Sequence, residues 1–385
     1  MTEKLYYLDS HLAEFDALVL SCEAAEGGFD VVLDRTAFFP EGGGQRADTG
    51  FLADARVSDV QERGGLILHR TDAPLEAGAQ VHGKLDFEQR LRRMQNHSGE
   101  HIVSGLVHAS FGWDNVGFHM GEACMTIDFN GELSWEELMQ IEQRANEVVR
   151  ADLPVRAWLP KEDALKTMDY RSKLELTENV RIVEIEGVDR CACCAPHVAH
   201  TGEIGVVKIL DSERHRGGVR VSVICGMDAL EDYRARQESV TEVSRLLSAK
   251  RGEIAAAVQR VLAEQEAARA KSDALSGEVV RLMAESAGES AGNLCLFSGI
   301  LDEIAQRELV NLLMEHCGGL AGVFCGSDET GWRYIIGSLH VDLRANTRAV
   351  NAAVDGRGGG KPRMIQGRAA AKKDAIRAAF DTLLI

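Results

Sequence analysis

Two histidines, His97 and His101, stand four residues apart in the stretch RRMQNHSGEHIVSGL (92–106). On a helix that spacing puts both imidazoles on one face, where they can share one metal ion. Further along, CCAPHVAHTGEIG places Cys193 and His197 four apart as well. One thiolate and three imidazoles form a nitrogen–sulfur set that suits zinc. Cys191 and Cys194 are close neighbours and His200 is a spare imidazole, so only the four-residue spacing singles out Cys193. The segment His97-Ser98-Gly99-Glu100-His101 also satisfies the H-x-x-E-H pattern of one class of zinc protease, in which Glu100 would be the general base. Four protein ligands would close a tetrahedral site, whereas catalysis needs an open position. Either one ligand is displaceable or the metal anchors the substrate's amino group, and the sequence does not choose.

Two glycine-rich segments carry the remaining chemistry. TAFFPEGGGQRADTG (36–50) has three consecutive glycines, which permit positive φ and close approach of backbone to a ligand. Taken alone it reads as a tight strand-to-strand turn. Near the C-terminus, RGGGK (357–361) is not a phosphate-cradling Walker loop, because Pro362 stands where Ser or Thr is required. Arg357, Gly358, Gly359, Gly360, Lys361, Arg363 and Arg368 read instead as a nucleic-acid backbone contact, with the cations set around flexible glycines. Its competitor is a basic surface loop.

The elements that must position these residues follow from hydrophobic period. Residues 1–84 are β-rich, with short apolar runs broken by Gly and Asp turn signals, and predict a small antiparallel sheet or barrel. A helix is expected to start at the capping pair Asp86 and Gln89 and to stop near Gly112, carrying Leu91, Met94, His97 and His101 on one face. To residue 226, strand candidates (CMTIDF, VRIVEI, GVVKIL, GVRVSVICG) and the helix SWEELMQIEQRANEVVRA predict an α+β layer with helices on one face of a sheet. Residues 227–287 lack proline and place Val240, Leu247, Ile254, Val261, Ala268, Leu275 and Leu282 at strict sevens, predicting a helical arm with breaks at Gly252 and Gly277. Residues 288–385 read as a separate α/β domain. The fold class is therefore α+β, in four parts.

Composition sets the outer bounds. The chain of 385 residues exceeds one comfortable core. Nine cysteines without a framework indicate reduced thiols and a cytoplasmic location. No basic start precedes an apolar run, and no stretch reaches membrane-spanning length. The formal net charge of −17 argues against a protein coated in nucleic acid. From Val341 onward, however, nine Lys or Arg face four Asp, so the end is locally basic.

The segments FFPEGGGQRADTG, NHSGEHI and CAPHVAHTGEIG, in that order, resemble the editing domain of alanyl-tRNA synthetases. They are still more similar to the AlaX-type free-standing alanyl-tRNA editing proteins. The helical arm and GRGGGKPRMIQG resemble the C-terminal domain of those synthetases, also found in DHH phosphoesterases. No Asp-His-His triplet occurs, so the phosphoesterase function is not expected. The segment upstream of Thr36 leaves no room for an aminoacylation domain or an ATP site, which implies the long free-standing form. The resemblance implies an ATP-independent hydrolase that deacylates tRNA(Ala) mischarged with serine or glycine. It implies zinc on His97, His101, Cys193 and His197, and amino-acid recognition by Gln45 and Thr36. A homodimer through the helical arm or the C-terminal domain is a further expectation. Two alternatives stand beside it: a zinc metalloprotease, and a tRNA-binding protein without chemistry.

Overall fold

The computed structural model describes residues 2–121, 123–172 and 180–383. It divides into two compact units, Met1–Thr241 and Glu242–Ile385.

In the first unit, a two-residue strand β1 (Glu3–Lys4) precedes β2 (Glu14–Ala25) and β3 (Gly28–Leu33). Next come β4 (Arg35–Thr36), which pairs in parallel with β1, and β5 (Gly50–Leu52), β6 (Ala55–Arg63), β7 (Leu66–Thr71) and β8 (Gln80–Leu85). Six of these pair in the order β2-β3-β7-β6-β5-β8 and close back on β2, forming a barrel. Closure leaves none of the six with an unpaired edge. Alternation does the sorting: Phe15, Ala17 and Val19 on β2 point inward and meet Val31, Leu33, Val60 and Ile67.

Helix α1 (Phe87–Phe111) follows and ends at Gly112 in the left-handed conformation, φ 72°. Its start differs from the expected capping box. Asp86 makes no side-chain cap; its carboxylate takes Thr49 Oγ1 and the Arg56 guanidinium instead. A charge-assisted pair with Arg outcompetes a neutral backbone N–H for the same oxygens.

A four-stranded sheet then forms from β9 (Asn115–Met120), β10 (Met125–Phe129), β14 (Val207–His215) and β15 (Gly218–Cys225), in the order β14-β15-β10-β9. Helix α2 (Trp135–Ala151) opens with a complete Ser134–Glu137 capping box and buries Leu138, Ile141, Ala145 and Val149. It shares one core with α1 and this sheet. A smaller sheet holds β11 (Val155–Trp158), β12 (Ile182–Ile185) and β13 (Asp189–Ala192), with the short α3 (Glu162–Leu165) between β11 and β12. Helix α4 (Gly226–Leu246) leaves β15 and is tied to α1 by Arg92, which pairs with Asp228 and Glu231.

In the second unit, the helix breaks before a 3-10 turn at Arg251–Glu253 and resumes as α5 (Ile254–Ala287). The expected break at Gly252 is present. Gly277 lies inside a continuous helix, where a single glycine lowers helix propensity by about 1 kcal/mol without stopping it. A five-stranded sheet follows, in the order β16-β17-β18-β20-β19. Its strands are β16 (Leu294–Ser298), β17 (Ala321–Ser327), β18 (Gly331–Gly337), β19 (Gly356–Lys361) and β20 (Met364–Ala369). Helices α6 (Glu303–His316), α7 (Leu343–Ala353) and α8 (Lys373–Asp381) complete it.

The second glycine segment, whose glycines are expected to be flexible and whose competing reading is a surface loop, forms the edge strand β19, paired with β20 throughout. Gly358 and Gly360 serve packing, while Gly359 faces open space. A Cβ on Gly358 would stand 2.2 Å from the Tyr334 hydroxyl. Register also aligns Arg333, Arg368 and Arg357 on three adjacent strands.

Candidate metal centre

Helix α1 supplies two of the candidate ligands, and the chain after β13 supplies the other two. His97, His101, Cys193 and His197 each present one ligand atom, and these atoms all lie within 4.8 Å of one another. Cys193 Sγ is 3.5 Å from His97 Nε2 and 3.4 Å from His197 Nε2. Ordinary Zn–S and Zn–N lengths at a tetrahedral angle give an S···N edge of about 3.6 Å. The residues present therefore fit a zinc ion.

Each imidazole is turned by a partner on its other nitrogen. His97 Nδ1 donates to Gln45 Oε1 at 3.0 Å, His101 Nδ1 to Asp189 Oδ2 at 2.8 Å, and His197 Nδ1 to Ser98 Oγ at 2.9 Å. With Nδ1 occupied, all three Nε2 atoms are turned toward Cys193 Sγ, the orientation a metal requires of its histidines. Burial alone would raise the Cys193 thiol, but the surrounding imidazoles of His97, His197 and His101 hold it well below the usual cysteine range. Burial drives His197 down to about 3, so it is a neutral donor. Burial opposes a charge on His101, yet the Asp189 carboxylate raises it well above the ordinary histidine value. The neighbouring thiols behave otherwise: burial pushes Cys191 and Cys194 each up to about 11.

The first glycine segment is clamped onto α1. Arg90 and Asp48 form an ion pair shielded from solvent, and Asp48 Oδ2 also accepts from the Phe39 N–H at 2.7 Å. Arg90 further donates to Ala37 O at 2.6 Å, and Arg93 to Ala47 O at 2.6 Å. These bonds fix the turn in which Gly42 and Gln45 exchange backbone hydrogen bonds of 3.0 Å each. Gly44 has φ +81°, and a Cβ there would lie 2.6 Å from the Phe118 ring. Only glycine fits, and the turn delivers Gln45 to His97. The Gln45 amide Nε2 is buried without a partner among the described residues.

Beside the four ligands lies a cavity of about 440 Å³, walled by Gly43, Gly44, Phe118, Leu159, Arg181 and Glu100. Glu100 Oε1 accepts from Ser104 Oγ at 2.6 Å and from Asn115 Nδ2. Arg181 holds the Cys193 loop through the Cys193 and Ala195 carbonyls, at 3.0 and 2.8 Å, and stacks on Tyr7.

The structure brings Gln45 to the ligand cluster but does not place Thr36 on the cavity wall. Thr36 is buried in the barrel. Its hydroxyl donates to His69 Nε2 at 2.8 Å and accepts from the Phe38 N–H at 3.1 Å, while His69 Nδ1 donates to Val31 O at 3.0 Å. Replacing Thr36 by valine strands two buried polar groups and is expected to lower stability by about 1–3 kcal/mol, measured by denaturant titration. The relative rates on substrates differing by a hydroxyl should not change; a shift in that ratio would put the Thr36 hydroxyl at the substrate.

Sequence reasoning missed Asp189, Ser98, Arg171 and Arg181. Ser98 stood inside the histidine pair and Arg181 inside the strand candidate VRIVEI, where neither carried a chemical signal.

Two family models match this chain. Residues 10–89 match tRNA synthetases class II (A), and residues 180–221, which contain Cys193 and His197, match the Threonyl and Alanyl tRNA synthetase second additional domain. The alanine–tRNA ligase of Halobacterium salinarum is 33% identical over 362 residues, spanning 87% of this chain and 38% of that protein. That of Pyrococcus furiosus is 33% identical over 335 residues, 81% and 36% respectively. That of Methanopyrus kandleri is 31% identical over 389 residues, 95% and 42%. The chain is a relative of the alanyl-tRNA synthetases. It spans less than half the length of these curated relatives, and both of its units fall within the similarity to the Methanopyrus protein, which extends over almost the whole chain. Among the described residues no helix is long and apolar enough to cross a membrane.

Proposed function

We propose that this AlaX-like protein hydrolyses the ester of tRNA(Ala) wrongly charged with serine or glycine. The observation that carries the reading is the convergence of four ligand atoms, three of them individually oriented, beside a cavity in a chain related to alanine–tRNA ligases. The chemical need is general. A pocket built for alanine cannot strongly reject an amino acid that adds one hydroxyl or loses one methyl, so a second hydrolytic site restores accuracy.

Zinc held by His97, His101, Cys193 and His197 would, with one of the four displaced, supply Lewis-acid polarisation at the ester. The chain's own residues do the rest. Gln45, Asp189 and Ser98 keep the Nε2 atoms aimed inward, and Phe118, Leu159 and Val180 give the cavity apolar walls that limit water. Gln45 is buried and off the cavity wall, so its part is to orient His97. In the second unit, Arg357, Gly358, Gly359, Gly360, Lys361, Arg363 and Arg368 form the RNA contact, now as an edge hairpin. Like charges set side by side on a sheet repel, and a phosphate backbone across the register pair Arg357 and Arg368 relieves that repulsion.

Glu100 separates this reading from the protease. It lines the cavity, with Oε2 3.9 Å from His101 Nε2. Glu100→Gln is expected to keep deacylation within about tenfold of wild type, because Oε1 accepts structural bonds that an amide oxygen also accepts. Loss of a general base would cost about 10²–10⁴-fold. Single-turnover deacylation of seryl-tRNA(Ala) by both proteins, beside cleavage of a denatured protein, decides it.

A further inference from the structure

Two arginines line the ligand cavity, and they are placed differently. Arg181 is committed to the Cys193 and Ala195 carbonyls. Arg171 donates Nε to Asp189 Oδ1 at 2.7 Å, but its Nη2 is buried without a hydrogen-bond partner among the described residues. A buried guanidinium N–H left unmatched is unfavourable, and the natural partner is an anionic oxygen. Its backbone is fixed: Arg171 N donates to Arg190 O at 2.8 Å and Ala192 N to Arg171 O at 2.9 Å, so the side chain is carried beside β13.

Position supplies the second observation. Arg171 lines both the 440 Å³ ligand cavity and a larger neighbour of about 710 Å³. The larger cavity carries both signs of charge, including Asp114, Asp169, Glu184 and Arg190, so its walls as a whole do not select an anion. Selection falls at the junction. In an aminoacyl ester of a terminal nucleotide, one ribose separates the ester from the 5′-phosphate of the same nucleotide. With the ester at the ligand cluster, that phosphate falls one ribose away from the ligands, and Arg171 lines the same cavity as they do.

We infer that Arg171 is a substrate-binding residue whose Nη2–H donates to the phosphodiester on the 5′ side of the RNA's terminal adenosine. This rests on the deacylase reading for the location of the ester. The same residue, through Asp189, also positions His101.

The test uses binding, so it does not depend on hydrolysis. Dissociation constants are measured for the full chain and Arg171→Gln with unacylated RNA hairpins ending in CCA. The hairpins carry either natural linkages or one neutral methylphosphonate at the last, second-last or third-last linkage. Wild type should bind the hairpin with the last linkage neutralised about tenfold more weakly or worse, the scale of one charge-assisted hydrogen bond. Arg171→Gln should bind the natural hairpin more weakly by a similar factor and be indifferent to the last linkage. Equal sensitivity of both proteins to that linkage would overturn the proposal and leave Arg171 as a positioning residue only. If the variant fails to fold, the wild-type scan still decides: indifference to the last linkage overturns the proposal. Binding with this pattern but no seryl-ester hydrolysis would defeat the deacylase reading while leaving the phosphate contact standing.

Discussion

Cys193→Ala should abolish both metal retention and deacylation. The thiolate is the only anionic member of the candidate ligand set, and it sits within 3.5 Å of two of the imidazole Nε2 atoms. Without it, three buried imidazoles must hold a dication unaided beside a positively charged Arg181. The wild-type protein should contain about one zinc per chain, as one four-ligand set requires. The variant should contain little after dialysis, and His101→Ala should behave alike. Cys191→Ala is the control. Cys191 also lies near His101 and Asp189, within the same 4.8 Å limit, but burial keeps its thiol protonated up to about 11. Retained zinc and activity in Cys193→Ala, with loss in Cys191→Ala, would transfer the sulfur ligand to Cys191.

The second large effect concerns RNA affinity. Ending the chain after Thr241 preserves the whole first unit and all four ligands, so zinc content should be unchanged. RNA affinity should fall and its salt dependence should flatten. Each lost phosphate contact removes about 0.7–0.9 from the slope of log K against log salt. Loss of Arg357, Lys361, Arg363 and Arg368 together should therefore lower the slope by about 3. Titrations at several salt concentrations on both proteins measure it. An unchanged slope would assign the second unit another purpose, with self-association of the exposed stripe on α5 the first to test: Val261, Leu275 and Leu282 are all exposed there.

What the sequence disclosed depended on the range of the interaction. The spacing of four in both ligand pairs is local, and α1 converts the first pair into a shared face. Short apolar runs broken by Gly and Asp turn signals predict a small antiparallel sheet or barrel, and the ring of pairings that makes it a barrel is the part such local signals leave open. Partners contributed from far away had no local sign. Asp189 reaches His101 across 88 residues and Gln45 reaches His97 across 52, and neither has a spacing to read. The cap at Asp86 failed for the same reason: Arg56, distant in sequence, takes its carboxylate. The glycine run 358–360 reads locally as freedom, whereas the Tyr334 hydroxyl across the sheet requires glycine at 358 and the Met364 carbonyl requires it at 360. Thr36 illustrates the converse. Its place in the glycine segment pointed to substrate, and the barrel gave its hydroxyl to His69.

The most direct test of an editing hydrolase is deacylation of three esters, seryl-, glycyl- and alanyl-tRNA(Ala), by the full chain with and without a zinc chelator. Seryl or glycyl ester should be hydrolysed far faster than alanyl ester, and the chelator should remove that activity until zinc is restored. Equal rates on all three esters, or hydrolysis indifferent to the chelator, would contradict it.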